Sequence, residues 1–311
     1  MIKCNLCESE NYKTIATEIR EGEGLIVQCE DCGHFFQAIE LNSDELEEYY
    51  NDIYTATNSL QETDIEVQEH FEERFKTLDN LISHLNPYLK DGDDVLDIGA
   101  GAGSLLYAIK DNVSTLSATE LNKSYVEYMK SLNIYAYYGF FEKLSFPKQY
   151  DLIISINAID HMPNPTTVLE EIYKSLKEDG RIYLELPNRN EALNFFLPEE
   201  NRKKFNKFFW HKAHYSYFYE ETIYKLLDKI GFKNIKVANR HEYTIVNYLN
   251  WYFTGEPQKR FVDATTNTKL FSGSNSFELE MNSLFEKVNS DFLDILKKNK
   301  RGDTLIITAN K

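Results

Sequence analysis

The sequence predicts an α/β fold, in which a small cysteine-rich unit precedes a mostly parallel sheet with helices on both faces and an antiparallel last strand. Two observations support this prediction. From about residue 91 to residue 190, apolar segments of strand length alternate with helical segments, and repeated βα units build parallel sheets. All four cysteines lie near the N-terminus, in two Cys-x2-Cys pairs.

Composition and charge limit the classes of substrate and the cellular location that we expect. The chain carries 50 acidic and 34 basic side chains, a formal net charge of −16. A surface with this charge repels polyanions, which argues against nucleic acid as a substrate. No apolar run is long enough to span a bilayer, and the first residues, MIKCNLCESE, lack the basic-then-apolar order of a signal peptide. We therefore expect a cytoplasmic protein without a membrane partner.

The cysteine spacing is the strongest local pattern. Cys4 and Cys7 form one pair, 21 residues follow, and Cys29 and Cys32 form the second pair. Two such pairs on a short hairpin complete a tetrahedral zinc site, whose four thiolates leave no position for a substrate. We predict a structural zinc ribbon over residues 1–42. A redox-active Cys-x2-Cys pair is the alternative, but two matched pairs with no remaining cysteine favour metal.

A helical linker is predicted over residues 43–90. Ser43 can cap a short acidic helix, and apolar residues at helical spacing predict a longer helix over 64–85, which Pro87 closes. The nearby tyrosines fit either a lid over a ligand or packing between domains: Tyr49, Tyr50 and Tyr54. The remaining residues, 91–311, are assigned to the sheet domain.

A glycine-rich turn follows the first strand of that domain. Residues 95–98 are typical of a buried strand, and Gly99, Gly101 and Gly103 form the turn into a helix that begins near Ser104. A dinucleotide site needs G-x-G-x-x-G, whereas the spacing here is G-x-G-x-G. The pattern also lacks the G-K-[ST] ending of a phosphate-binding loop.

Two carboxylates indicate the cofactor. Asp97 precedes the first glycine by two residues, where it would repel a pyrophosphate but attract the ammonium and sulfonium groups of S-adenosylmethionine (SAM). Glu120 ends the second strand, where a carboxylate can accept hydrogen bonds from both ribose hydroxyls. Glu120 alone fits NAD equally well, but the two carboxylates together predict SAM.

Ligands of parallel sheets bind beyond the carboxyl ends of the strands. Phe141 follows the third strand, and we expect it against the adenine ring. Residues 157–161 follow the fourth strand, and we expect them at the methionine end of the cofactor.

The segment from about residue 91 to residue 190 resembles the class I SAM-dependent methyltransferases, which have a Rossmann-like sheet. The matching stretches are VLDIGAGAGS, the acid in ATEL, YDLIISINAIDHMPNP and LKEDGRIYLELPN. The resemblance implies SAM contacts along these stretches. We add Ala100 and Ala158, which are neighbours of these contacts in the sequence. The predicted cofactor site then comprises Asp97, Gly99, Ala100, Gly101, Glu120, Leu121, Phe141, Asn157 and Ala158.

The order of the cysteine-rich unit and the sheet domain along the chain is similar to that of zinc-containing sugar C-methyltransferases and of their shorter relatives in surface-polysaccharide clusters. In those enzymes a Tyr-x-Glu-His stretch precedes Ser-Tyr-Phe, and its histidine and tyrosine serve the acceptor. In HKAHYSYF, His214 falls on that histidine, whereas His211 and Ala213 fall on the tyrosine and the glutamate. This departure favours methylation of oxygen over carbon.

Three histidines are candidates for the base that removes the acceptor proton, because an imidazole titrates near neutral pH: first His214, then His211, then His161. His214 fits equally well as a structural residue bonded to a neighbouring backbone group. His211 and His214 could also share a helix face and bind metal, but the sequence shows no third ligand.

An insertion is predicted late in the chain. After a strand at 233–243, residues 245–302 interrupt the sheet before GDTLIITANK supplies the final strand. The insertion carries side chains suited to an acceptor wall or a dimer surface: Asn247, Trp251, Tyr252 and Arg260.

These observations lead to one expected function and three alternatives. We expect SAM and a structural Zn²⁺ as cofactors, and O-methylation of a small molecule, a sugar or sugar-linked metabolite. The alternatives are a sugar C-methyltransferase, a zinc-ribbon enzyme that methylates RNA bases, and a non-enzymatic scaffold.

Overall fold

The computed structural model describes residues 2–39, 67–259, 261–266, 268–269 and 271–311. Several sequence predictions lie outside these residues: the helix cap at Ser43, the lid tyrosines Tyr49, Tyr50 and Tyr54, and the acceptor-wall residue Arg260. In the described ranges, no helix is long and apolar enough to cross a membrane.

The strands of the described ranges are, in chain order, β1 (Tyr12–Ile19), β2 (Gly22–Cys29), β3 (Phe35–Gln37), β4 (Asp94–Ile98), β5 (Thr115–Glu120), β6 (Tyr135–Tyr138), β7 (Tyr150–Ile156), β8 (Leu176–Pro187), β9 (Ser216–Tyr217), β10 (Lys233–Arg240) and β11 (Thr304–Asn310). The α-helices are α1 (Val67–Phe75), α2 (Asp79–Leu85), α3 (Ser104–Ile109), α4 (Lys123–Ser131), α5 (Pro165–Ser175), α6 (Glu199–Phe209), α7 (Glu220–Ile230), α8 (Ile245–Thr254), α9 (Phe261–Thr266) and α10 (Ser276–Lys298).

A seven-stranded sheet with the order β10-β11-β8-β7-β4-β5-β6 forms the centre of the molecule. Strands β4 to β8 pair in parallel, and β11 runs antiparallel to both β8 and β10. This is the predicted Rossmann-like sheet with an antiparallel last strand, so the predicted fold class is confirmed. A second sheet, β1-β2-β3-β9, is antiparallel, and Cys29 ends its strand β2.

Each face of the large sheet carries its own apolar core, because successive side chains of a strand point to opposite faces. Val95 and Leu106 pack on one face, with Met129 of α4. Leu96 packs on the other face, in a cluster that also contains Phe36 of the N-terminal sheet. The cysteine-rich unit and the large sheet therefore share one core.

Two helix boundaries differ from what the sequence suggests. The helix after the fourth strand, α5, ends at Ser175 and not at the Gly180 turn, because Leu176 is fully buried and pairs with Tyr150 at the start of β8. The helix predicted over 64–85 is, in its described part, two helices, α1 and α2. The Thr77 hydroxyl donates to the Arg74 carbonyl at 2.9 Å in the turn between them. α1 packs over the glycine turn, whereas α2 buries Leu81 and Leu85 in the core.

The insertion between β10 and β11 is helical, and the predicted strand over 233–243 ends at Arg240. Trp251 of α8 is buried edge-to-face on Phe205 of α6, with ring centroids 4.9 Å apart. Trp251 therefore forms part of a small apolar core rather than an open wall, while Tyr252 beside it is exposed.

Candidate functional site

The glycine turn between β4 and α3 has a backbone that only glycine adopts readily. Gly99, Gly101 and Gly103 have φ angles of 75°, 56° and 83°. A Cβ on Gly99 would lie 2.7 Å from the Cβ of Ala158, and one on Gly103 would lie 2.7 Å from Cγ of Met129. The turn therefore needs glycine for its conformation and for its close approach to the loop after β7.

Asp97 is a buried carboxylate in β4, just before this turn. Its side chain is 3% exposed, and Oδ1 has no hydrogen-bond partner among the described residues. Burial, and then the charge of Glu120, raises the pKa of Asp97 to about 7. A buried carboxylate without a partner is costly, so this position favours a cationic ligand.

Glu120 is held by the backbone around it. Its carboxylate accepts hydrogen bonds from the N–H groups of Gly101 at 2.9 Å, Leu121 at 2.7 Å and Asn122 at 3.0 Å. Burial raises the pKa of Glu120, and these three N–H groups oppose that rise. The backbone thus fixes the orientation of the carboxylate at the end of β5.

A partly open cavity lies beyond the carboxyl ends of β4, β5 and β7. This is the position at which parallel sheets bind their ligands. Several predicted cofactor residues line it: Gly99, Glu120, Leu121, Phe141 and Ala158. His161, predicted as a candidate base, lines the same cavity.

The other predicted cofactor residues support the cavity from behind rather than lining it. The Gly101 N–H holds Glu120, the Ala100 N–H donates to Thr119 O at 3.3 Å, and the Asn157 N–H donates to Glu185 O at 2.9 Å. Asn157 has a φ of 50°, which turns the chain at the end of β7.

Sequence reasoning missed His70, which belongs to α1 and covers the turn. Cε1 of His70 lies 3.8 Å from the position that a Cβ on Gly101 would take. Its ring stacks on Tyr125 with centroids 5.2 Å apart, and Nδ1 is buried without a hydrogen-bond partner in the described part of the chain. The helical spacing of α1 alone could not identify this residue.

A cluster of Asp160, His161 and His214 lies at the His161 end of the cavity. Asp160 and His161 belong to the short 3-10 turn after β7, and His214 precedes β9. The Nε2 atoms of both histidines lie 3.6 Å from Oδ2 of Asp160. The two imidazole rings meet edge-to-face, with centroids 4.6 Å apart. The structure therefore brings together two of the three candidate bases.

Burial sets the protonation of this cluster. It raises the pKa of Asp160 to about 7 and lowers the pKa of His161 to about 4. The pKa of His214 is also held well below its ordinary value, by burial and then by the charges of His161, His211 and Arg20. At neutral pH both imidazoles are therefore neutral and have a lone pair for a proton or a metal ion.

His211 differs from its two neighbours. Its Nε2 lies 2.9 Å from Oε1 of Glu21, and its Nδ1 accepts the Ala213 N–H at 3.0 Å. The alternative in which His211 and His214 share a helix face does not apply, because they lie in a turn between α6 and β9, with stacked rings 5.2 Å apart. The turn forms because the chain leaves α6 at Trp210 to pair with the N-terminal sheet.

That pairing positions the His214 segment. Phe35 pairs with Tyr217, Phe36 with Ser216, and the Gln37 N–H donates to the Tyr215 carbonyl at 3.0 Å. On the other side, the Tyr215 N–H donates to the Asp160 carbonyl at 2.8 Å. The N-terminal sheet therefore extends into the loop that carries His214.

The four cysteines converge at one point. The sulfurs lie within 4.8 Å of one another, with Cys4 and Cys32 at 3.6 Å and Cys7 and Cys29 at 3.5 Å. Four sulfurs bound at about 2.3 Å to a tetrahedral zinc lie about 3.8 Å apart. The thiols thus fit a zinc ion with little rearrangement, and Gly33, with a φ of 79°, makes the knuckle turn.

Comparisons with known proteins agree with this fold. A family model described as a methyltransferase domain matches residues 70–237, more than half of the chain. The human arsenite methyltransferase is 27% identical over 191 residues, which cover 55% of this chain and 49% of that protein. A ubiquinone biosynthesis O-methyltransferase of Pseudomonas fluorescens (strain Pf0-1) is 23% identical over 113 residues, covering 34% of this chain and 49% of that protein.

The chain spans about half the length of these curated relatives. Among solved structures, a SAM-dependent methyltransferase from Archaeoglobus fulgidus is similar with a TM-score of 0.46 and 18% identity. The match covers 78% of this chain and 98% of that one.

Proposed function

Because this chain belongs to the methyltransferase-domain family, we propose that it transfers the methyl group of SAM to a hydroxyl group of a sugar or sugar-linked metabolite. One observation carries the proposal. A single cavity runs from the oriented carboxylate of Glu120 to His161, where the Asp160 and His214 side chains meet. A cofactor end and an acceptor end therefore share one space.

At the cofactor end, charge and shape favour SAM, which supplies a methyl group on a positively charged sulfur when bound. Asp97 offers an unpaired, buried carboxylate oxygen to a cation. Glu120 offers a carboxylate already aligned by three N–H groups, suited to a ribose diol. Phe141 is buried at the cavity wall and provides an apolar face for adenine.

At the acceptor end, His161 and His214 are the groups that activate the hydroxyl. Both imidazoles are neutral at physiological pH, so each offers a lone pair either to the acceptor proton or to an ion that would bind the acceptor. Methyl transfer from a sulfonium is an in-line displacement, so fixing the acceptor oxygen supplies much of the rate. His211 is engaged with Glu21 and supports His214 through ring stacking.

We assign the four cysteines to a structural zinc ion. Four thiolates close the coordination shell, so this ion takes no part in catalysis. Its role is to hold β2 and β3, and through the β3–β9 pairing to fix the His214 segment. The division into a ribbon over 1–42, a linker over 43–90 and a SAM-binding domain over 91–311, with an insertion at about 245–302, is part of this proposal.

Arg189 supports an acceptor that carries an anionic group. It follows β8, beyond the carboxyl edge where ligands bind. Its guanidinium lies 4.9 Å from the ring centroids of Phe35 and Trp210, and Nε and Nη1 have no hydrogen-bond partner among the described residues. A buried cation with open donors suits the phosphate of a sugar phosphate or nucleotide sugar.

A transfer assay tests the proposal. The zinc-loaded protein is incubated with methyl-labelled SAM and a panel of neutral sugars, sugar phosphates and nucleotide sugars. We expect label in one phosphorylated class, lost in His161→Gln and reduced in Arg189→Gln, and an ether carbon in the product by NMR. Glu127→Gln, an exposed change on α4, is the matched control and keeps full activity.

The same assay separates the alternatives. A new carbon–carbon bond in the product would identify C-methylation. Label in RNA with salt-dependent binding would identify a nucleic-acid enzyme, which the net charge of −16 argues against. Failure of the intact protein to bind SAM would leave the scaffold interpretation.

A further inference from the structure

We propose that Asp160, His161 and His214 bind a divalent transition-metal ion at the acceptor end of the cavity, where the ion holds and acidifies the acceptor hydroxyl. The inference rests on the proposed function and specifies how the acceptor is activated. The site is separate from the cysteine cluster, and the sequence alone supplied no third ligand for it.

The geometry fits one ion. The three ligand atoms lie within 4.8 Å of one another, and both imidazole Nε2 atoms are 3.6 Å from Oδ2 of Asp160. Ligands about 2.1 Å from a tetrahedral ion lie about 3.4 Å apart. The two Nε2–Oδ2 distances would therefore shorten by about 0.2 Å around an ion, and the separation of the two imidazole nitrogens, at most 4.8 Å, by up to about 1.4 Å.

The Asp160 carboxylate gives an independent reason. Its side chain is 1% exposed, and neither oxygen has a hydrogen-bond partner within the described residues, because both imidazoles stop at 3.6 Å. Buried carboxylates are normally hydrogen-bonded, paired with a cation or bound to a metal. The nearest side chains are the two imidazoles, and an ion between the three side chains would satisfy the carboxylate.

The surrounding groups hold these side chains in place. His161 has a hydrogen bond with the Ala213 backbone, and the Tyr215 N–H donates to the Asp160 carbonyl. His214 stacks on His211, whose Nε2 meets Glu21. Arg20 contributes positive charge nearby, which Glu21 offsets. Partners of this kind commonly orient metal-binding histidines.

The donor set indicates the class of ion. Two imidazoles and one carboxylate suit Zn²⁺, Fe²⁺ and related ions rather than Mg²⁺ or Ca²⁺, which prefer oxygen. Three protein ligands leave a position for the acceptor, as in catalytic rather than structural zinc sites. Of the three ligands His161 lines the cavity, so an acceptor bound to the ion would lie next to the space proposed for the cofactor.

The step needs no additional reactant. The acceptor oxygen binds the ion, and its proton leaves to water because the positive charge lowers the pKa of the hydroxyl. The oxygen–carbon bond then forms as the sulfur–carbon bond breaks, and the sulfur keeps the bonding pair. The two imidazoles hold the ion and do not themselves take the proton.

Metal counting tests the inference without relying on activity. The protein is dialysed against Zn²⁺ and then against metal-free buffer, and bound zinc per chain is measured by mass spectrometry. We expect two ions in the wild type and one in each of Asp160→Asn and His214→Gln, with the remaining ion in the cysteine cluster as evidence of folding. His84→Gln, a helix histidine on α2, is the matched control and keeps two ions.

The outcomes separate this inference from the proposed function, because SAM binding and methyl transfer are measured on the same samples. A wild type with one ion and full transfer overturns the metal site and leaves the imidazoles as bases. An equal loss in His84→Gln would mean an adventitious ion only and also overturns it. Two ions with the variant pattern support the site, even if no transfer occurs and the proposed function fails.

Discussion

Asp97 provides the most specific test of the cofactor end. Its carboxylate is buried, one oxygen lacks a partner in the described structure, and its pKa stands at about 7 without a ligand. A cationic ligand binds the ionised form. SAM binding should therefore release a proton whenever Asp97 is protonated in the free protein.

The size of this effect follows from the pKa. With a value of about 7, about half of the Asp97 carboxylates are ionised at pH 7 and about one-tenth at pH 6. The affinity for SAM should fall about fivefold over this interval, since the ligand ammonium stays protonated. Binding at pH 6 should release about nine-tenths of a proton per chain. The direction of the pH dependence tests the reasoning: the affinity for SAM should rise as the pH rises through the pKa of Asp97.

The matching perturbation is Asp97→Asn, which keeps the shape and removes the charge. Loss of a buried charge-assisted contact costs about 3 kcal/mol, roughly a hundredfold in affinity. Calorimetry in buffers of different ionisation enthalpy measures both affinity and proton release. The variant should bind weakly with little dependence on pH, while Glu127→Gln behaves as wild type. A pH-independent wild type, or a variant that binds SAM equally well, would refute the reasoning.

Three further predictions concern the turn, the ribbon and the sheet. Gly99→Ala places a Cβ 2.7 Å from the Cβ of Ala158 at a φ of 75°, so urea unfolding should show about 2 to 4 kcal/mol of destabilisation. Adding Ala158→Gly should recover part of this loss. Strictly additive effects of the two substitutions would contradict the close approach. Cys32→Ser should remove one zinc per chain and lower the rate of methyl transfer about tenfold, because the ribbon supports the His214 segment. The affinity for SAM should change little. An equal loss of methyl transfer and of SAM affinity would contradict this role. Glu185→Leu should cost about 3 kcal/mol, because the buried Arg240 keeps only its longer contact with Glu242, at 3.5 Å. Arg240→Met should restore part of this loss in the double variant. Denaturation midpoints that match the wild type would contradict this pairing.

The cofactor end was predictable because its signals are local. A strand, a glycine turn and two carboxylates occupy a short stretch of sequence, and each has one physical reason. The structure places Glu120 and Phe141 on the cavity and Asp97 in the strand that leads into the turn. The cysteine spacing was equally local, and the four sulfurs converge as expected.

The acceptor end was only partly predictable because its residues come together through tertiary pairing. Asp160 was expected only as one of residues 157–161 at the methionine end of the cofactor, and nothing in its neighbourhood pointed to His214. The contact depends on β9 joining the N-terminal sheet, a pairing between residues about 180 positions apart. Glu185 and Arg240 were missed for a similar reason: their strands are separated in the sheet by β11, where both side chains are buried.

The most direct test of the central claim is equilibrium dialysis of the intact, zinc-loaded protein against radiolabelled SAM. We predict one SAM per chain, displaced by S-adenosylhomocysteine and not by NAD or NADP, because Glu120 on the cavity wall and the buried Asp97 before the glycine turn would both repel a pyrophosphate there. Binding that NAD displaces, or no saturable binding of SAM, would contradict the account.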